Sequence, residues 1–345
     1  MHLRNKLFPL ITALVVFSLA ALGQTPAPAQ QQPAQSTEPQ MPPGRSQDSI
    51  QMQSGQQKPQ EPTQQGDVFI FRAKVEEVVL HATVVDERGR LITTLNRDAF
   101  TVFEDGKPVQ ITSFRREDIP VSLGIIIDNS GSMREKRPSV NRASLNLVRS
   151  SNHDDQVFIV NFNDEYYLDQ DFTNDIDRLK EGLEHIESRG GTALYDAIIA
   201  SADHMKKNSK LDKKVLLVIT DGEDNSSRES LERAVRQLSQ EGGPTVYSIG
   251  ILGDEHSKRA KRALSALSEQ TGGIAFFPKD TSEVDSISQT IARDIRNQYT
   301  IGYKKNPGAA PGYRTVKVMA HASGYKNLQV RTLSGYYAGQ ERAAR

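Results

Sequence analysis

The sequence predicts an α/β fold: a doubly wound, mainly parallel sheet with helices on both faces, beside a β-sandwich formed by strands flanking it. Three observations predict this. Val121 to Ile127, Val157 to Phe162, Val215 to Ile219, Val246 to Ile251 and Ile274 to Phe277 are short, continuous apolar runs, as expected of strands buried on both faces. Between them, apolar residues recur at spacings of three and four, giving helices with one apolar stripe each. The residues before and after this stretch lack that spacing and read as strands and turns.

The helical periods are Ile176, Leu179, Leu183 and Ile186; Leu194, Ala197, Ile198, Ser201, Ala202 and Met205; Leu231, Ala234, Val235 and Leu238; and Val284, Ile287, Ile291 and Ile295. Alternating strands and helices argue for a parallel sheet covered on both sides. Upstream, Val68 to Ala73 reads as a strand, and Val78, Leu80, Ala82 and Val84 alternate with His81 and Thr83 as a half-buried strand should. Asp86 to Arg90 reads as a turn. Phe100 to Phe103 and Val109 to Phe114 flank Glu104-Asp105-Gly106-Lys107, where Asp-Gly tolerates the positive φ of a tight hairpin. Downstream, Gln298 to Lys304, Tyr313 to Ala320 and Asn327 to Leu333 read as three more strands. Three strands alone would bury too little and leave open edges, whereas about seven make a sandwich. Residues 67–118 and 298–337 are therefore expected to pack as one β-sandwich with 119–297 inserted between them, leaving 338–345 as a tail.

The N-terminus reads as an export signal over residues 1–23. Arg4 and Lys6 precede a nearly apolar run from Leu7 to Leu22, and Ala21-Leu22-Gly23 offers small residues for cleavage before Gln24. An uncleaved anchor is the other reading of this segment. In either case the rest of the chain leaves the cytoplasm, for the periplasm, the medium or the cell surface, and no later apolar run is long enough to span a bilayer. Residues 24–66 are rich in Gln, Pro, Ser and Thr and are expected to be a disordered linker.

Composition excludes several functions. Among 345 residues, 43 Lys plus Arg balance 43 Asp plus Glu, so no net charge draws the chain to nucleic acid. There is no cysteine, hence no disulfide, thiolate metal site or thiol nucleophile. No G-x-S-x-G elbow, H-E-x-x-H helix or P-loop lysine occurs, and the seven histidines are scattered. The chain is not expected to be an enzyme.

The chemistry gathers where strands end. Asp128-Asn129-Ser130-Gly131-Ser132 follows directly on Val121 to Ile127, and three oxygen side chains at alternate turn positions can point to one side of the sheet's carboxyl edge. Gly190-Gly191-Thr192 opens a helix, its glycines allowing a close approach that brings the Thr192 hydroxyl into the same crevice. Thr220-Asp221-Gly222 follows another buried strand and adds a second carboxylate. Singly, these residues could cap helices or satisfy loop amides.

Asp-x-Ser-x-Ser, then Gly-Thr, then a strand followed by Asp-Gly, in this order, resembles the metal-ion-dependent adhesion site of von Willebrand factor A domains, over about residues 119–297. More loosely, the upstream hairpin and the ending Val330-Arg331…Gly335-Tyr336-Tyr337 resemble an exported bacterial family called VWFA-related. The resemblance implies that Ser130, Ser132 and Thr192 offer hydroxyl oxygens to a metal, with Asp128 and Asp221 acting directly or through water. An all-oxygen set suits a hard divalent cation, Mg²⁺ first, then Mn²⁺ or Ca²⁺. It further implies a protein partner whose acidic side chain fills an open coordination position. A scaffold of an envelope complex with a structural metal, and more remotely a metal-dependent hydrolase, are the other readings. The acidic run Asp221, Glu223 and Asp224 reads as a solvated loop rather than a second cation site, and Tyr166-Tyr167 as a short edge strand with one ring buried rather than an exposed recognition pair.

Overall fold

The computed structural model describes residues 77–116, 118–184, 187–252, 257–305 and 311–339. The expected signal peptide, the linker, the strand Val68 to Ala73, Ile186 and residues 340–345 of the tail lie outside them. Among the described residues no helix is long and apolar enough to cross a membrane.

Strands β1 (Glu77–Val85), β2 (Phe100–Glu104), β3 (Lys107–Val109) and β4 (Ile111–Arg115) precede the α/β segment. The segment itself contains β5 (Val121–Asp128), β6 (Gln156–Phe162), β7 (Tyr166–Thr173), β8 (Lys213–Thr220), β9 (Thr245–Gly250) and β10 (Ala275–Phe276). These six form one sheet in the order β10-β9-β8-β5-β6-β7, parallel except for β7, which returns antiparallel along β6 at the edge.

Alternation along the strands supplies two cores. Leu123, Ile125 and Ile127 of β5 face one side, packing with residues of helices α1 (Arg137–Arg149), α2 (Ile176–Leu183) and α6 (Val284–Arg296). Ile126 and the Phe158–Val160–Phe162 face of β6 meet α3 (Leu194–Asn208), α4 (Leu231–Leu238) and α5 (Ser257–Thr271) on the other. Burial on both faces is why the sequence shows continuous apolar runs here rather than alternation. Helices α1 and α5 have no counterpart among the apolar periods; the buried stripe of α1, Val140, Ala143, Ser144, Leu147 and Val148, contains two small residues, and its other sides mix polar residues with Pro138 and Leu145. Close packing at the centre also requires Gly124, since a methyl there would lie 2.3 Å from the Phe158 ring and 2.6 Å from Leu216.

Strands β11 (Tyr299–Lys304), β12 (Gly312–Ala320), β13 (Gln329–Arg331) and β14 (Gly335–Ala338) follow α6. They pair with the upstream strands in two antiparallel sheets, ordered β13-β1-β11-β4 and β14-β12-β2-β3. Val78 faces Tyr303, Leu80 faces Ile301 and Ala82 faces Tyr299 across β1 and β11, while Val102 faces Val318 across β2 and β12. Each sheet thus mixes strands from both sides of the α/β segment, and the two share one core that includes Leu80, Ala82, Val102, Ile301, Val318 and Tyr336. The edge strand β14 is one more than the three expected downstream; its buried Tyr336 and half-exposed Tyr337 fit a strand as well as a terminal motif.

Glu104 ties these sheets together. It is buried, and its Oε2 accepts hydrogen bonds from the Tyr303 hydroxyl at 2.6 Å and the Tyr336 hydroxyl at 2.8 Å, linking β2 to β11 and β14. An acceptor shared by two buried donors is costly to remove, because both hydroxyls then lose their partner inside the core. Glu104→Leu should destabilise the protein by about 2–4 kcal/mol in urea denaturation, and Glu104→Gln by less, since its amide oxygen still accepts.

Candidate metal centre

The order of the sheet decides where a ligand can sit. From β5 the chain moves to β6 on one side through α1, and later to β8 on the other side, so loops leaving β5 and β8 run to opposite faces. The crevice this opens at the carboxyl ends is where open α/β sheets bind ligands. Asp128 is the last residue of β5, and Asp221 follows the last residue of β8.

Asp128 is fully buried. Its Oδ1 accepts from the Ser130 amide at 2.8 Å and its Oδ2 from the Thr220 hydroxyl at 2.6 Å. Burial nevertheless pushes its carboxyl up to about 6, with the nearby Asp221 charge adding to the rise against these hydrogen bonds. Ser130 Oγ lies 3.2 Å from Ser132 Oγ, and Ser132 Oγ donates to Asp221 Oδ1 at 2.8 Å. Four of the five expected residues therefore form one hydrogen-bonded chain across two loops.

Thr192 joins from a third loop. It is buried, and a methyl on Gly222 would stand 3.7 Å from its hydroxyl oxygen. Its backbone is pinned to the loop after β8: Thr192 N donates to Asn225 Oδ1 at 2.9 Å, and Thr192 O accepts from Asn225 N and Ser226 N. The preceding glycines are obligatory. Gly190 has φ +74°, and side-chain atoms on Gly190 or Gly191 would run into Asp164, whose Oδ1 accepts from Gly191 N at 2.8 Å.

Several residues of the site gave no warning in the sequence. Lys136 reaches back from the turn before α1, its ammonium contacting Asp221 Oδ2 and lying 3.3 Å from Ser132 O. Nothing in its spacing marks it, because the contact arises from the short 3-10 turn Gly131–Met133 folding the chain over the crevice. Asn129 holds the neighbouring loop, accepting from Ser188 Oγ at 2.8 Å and donating to Glu187 O at 2.9 Å. Within the acidic run, Asp224 Oδ2 accepts from Tyr195 N at 3.0 Å and from the Ser227 hydroxyl, so it serves the start of α3.

The donors fit a hard cation. Two buried or covered carboxylates and three hydroxyls, all oxygen, come from three loops at the crevice. Among the described residues no group of three or more His, Cys, Asp or Glu stands ready for a metal, so any ion here depends on the hydroxyls.

Residues 123–223 match the family described as "von Willebrand factor type A domain". Mouse integrin alpha-11 is 36% identical over 151 residues, covering 41% of this chain and 12% of the integrin; the chain thus spans about an eighth of that relative's length. A von Willebrand factor type A structure from Catenulispora acidiphila aligns with a TM-score of 0.45 at 16% identity, over 77% of this chain and 74% of the other. Proximal thread matrix protein 1 from the mussel byssus, with a zinc-occupied MIDAS motif, aligns with a TM-score of 0.45 at 17% identity, over 56% of this chain and 50% of that one. Over residues 123–223 the chain is thus similar in sequence to von Willebrand factor type A domains.

Proposed function

We propose that this domain holds one divalent cation, Mg²⁺ ahead of Mn²⁺ or Ca²⁺, at Asp128, Ser130, Ser132, Thr192 and Asp221, and through it binds a protein partner. The observation that carries this is the convergence of two carboxylates and three hydroxyls from three separate loops on the crevice between β5 and β8. When bound, the cation would supply a Lewis-acidic centre able to take a carboxylate oxygen from the partner. The chain's own groups do the positioning: Thr220 and the Ser130 amide orient Asp128, Ser132 orients Asp221, and Asn225 holds Thr192 beside them. We assign binding rather than turnover, because Asp128 is buried with both oxygens already accepting hydrogen bonds from the protein. The N-terminal basic start and apolar run support export, so the partner is sought outside the cytoplasm.

One observation favours a second reading. Lys136 already places a positive charge against Asp221, which would let the loops hold together as a scaffold with the metal in a structural role. Partner capture from envelope extract decides between them: capture lost in EDTA and restored by Mg²⁺ supports metal-mediated binding, and capture indifferent to EDTA supports the scaffold.

Asp128→Ala should abolish Mg²⁺ binding in calorimetry while leaving the circular dichroism spectrum unchanged; equal affinity in the two proteins refutes the site. Lys136→Met removes a cation from beside Asp221 and should tighten Mg²⁺ binding about fivefold, from an ion–ion interaction of about 1 kcal/mol. The raised carboxyl of Asp128 sets the pH dependence. Its folded value of about 6 lies above the ordinary carboxyl value of 3.8, so in metal-free protein its contribution is full below 3.8 and is lost as pH rises through about 6. A cation offsets that loss only when the carboxyl is ionised. The rise in melting temperature on adding Mg²⁺ should therefore be larger at pH 7.5 than at pH 5, as scanning calorimetry at both values would show.

A further inference from the structure

A groove of about 610 Å³ runs down the face of the domain from the metal loops, between α1 and the end of α2. One wall is a single stripe of α1, Pro138, Arg142, Leu145 and Arg149, at spacings of four, three and four. Its upper end is Arg134, which immediately follows the Gly131–Met133 turn and donates to Ser188 O at 3.1 Å. Arg137 is buried on the same side and donates to Asn161 Oδ1 at 2.8 Å.

The charge in this groove is one-sided. Two carboxylates, Glu184 and Glu187, stand on the opposite wall against four guanidinium groups. Each of the two already faces a cation of its own side, Glu184 with Lys180 at 3.8 Å and Glu187 with Arg189 at 3.9 Å. Arg134, Arg142 and Arg149 are exposed and have no carboxylate within 4 Å among the described residues. The groove is also continuous with the proposed metal contact, because Asn129 of the metal loop bonds Ser188 and Glu187 at its upper lip.

We propose that the partner segment which offers a carboxylate to the metal continues along this groove, and that it is an extended acidic peptide whose Asp or Glu side chains meet Arg134, Arg142 and Arg149. The proposal rests on the metal-contact reading for its starting point. Helix α1 covers roughly 18 Å from Arg137 to Arg149 at about 1.5 Å per residue, the length of about five or six residues of extended chain, and Arg134 in the turn before it extends the path to about seven. A flexible peptide follows such a path, with carboxylates spaced to reach successive guanidinium groups in bidentate fashion.

The test uses the full chain and a fluorescein-labelled peptide of seven alternating Glu and Ser residues, read by anisotropy in Mg²⁺ and in EDTA. A Lys and Ser peptide and a seven-nucleotide single-stranded DNA serve as comparisons. The acidic peptide should bind the wild type in Mg²⁺, the basic one should not, and DNA should bind more weakly than the acidic peptide. Arg142→Glu with Arg149→Glu should weaken binding about tenfold or more, with Mg²⁺ affinity by calorimetry within about twofold of wild type. The milder pair Arg142→Gln with Arg149→Gln should fall between, which guards against a misfolded double reversal. Binding lost in EDTA but unchanged in both double variants keeps the metal contact and overturns the groove. Binding kept in EDTA but lost in the variants supports the groove and overturns the metal contact as its starting point. No binding of the acidic peptide, or tighter binding of DNA, overturns the proposal.

Discussion

The burial of the Asp128 carboxylate is the constraint on which the rest of the site depends. A negative charge at the end of a strand covered on both faces is expensive, and the protein answers it from every side. Thr220 comes from the neighbouring strand, the Ser130 amide from the turn that follows, and the carboxyl is still raised toward neutrality. Asp221 stands close enough to add to that rise, and Lys136 folds back to meet it. Two carboxylates and one lysine thus meet between three loops, which is the setting of the proposed cation site. The glycines at 190 and 191, the Asn225 bonds to Thr192 and the Asn129 bonds to the 187–189 loop all hold the loops at the spacing this requires.

At the opposite end of the domain a second polar cluster joins it to the sandwich. Asp294 of α6 accepts from the Tyr247 hydroxyl at 2.8 Å and pairs with Arg331 of β13 at 3.1 Å. Gln298 reaches Thr83 of β1, and Arg296 contacts both Asp118 and Asp155. Lys213 is buried at the start of β8 with its ammonium on Ile295 O, and burial lowers it to about 8. Buried ion pairs of this kind contribute little net stability against an apolar replacement but are costly to break singly. They hold α6 and β11, consecutive in the chain, in one register between a helical layer and a sheet.

Much of the architecture is legible in the sequence alone. The strands β5, β6, β8 and β9 are continuous apolar runs because both their faces are covered, and α3 and α6 carry clean apolar stripes because only one of theirs is. Helix α1 carries the same spacing in Val140, Ala143, Leu147 and Val148, but its small residues and the surrounding arginines, asparagines and serines make the stripe fainter. β14 was not legible as a strand because four residues with two adjacent tyrosines show no clear alternation. At the site, Asp128, Ser130, Ser132, Thr192 and Asp221 could be singled out because each follows or precedes an element whose end is marked in the sequence. Lys136, Thr220 and Asn129 could not, because their roles come from loops crossing one another.

What the sequence determined by itself was the set of elements and the oxygen-rich residues at their ends, for these follow from local periodicity, turn chemistry and residue type. What only the tertiary structure decided was which ends meet. The strand order that places β8 and β6 on either side of β5 brings Asp221 to Ser132 across 89 positions of chain, and the pairing of β1 with β11 and β13 closes the sandwich across more than 200. The physical reason is that these contacts are chosen by how whole apolar faces are buried together, a property of the packed chain that no local pattern carries.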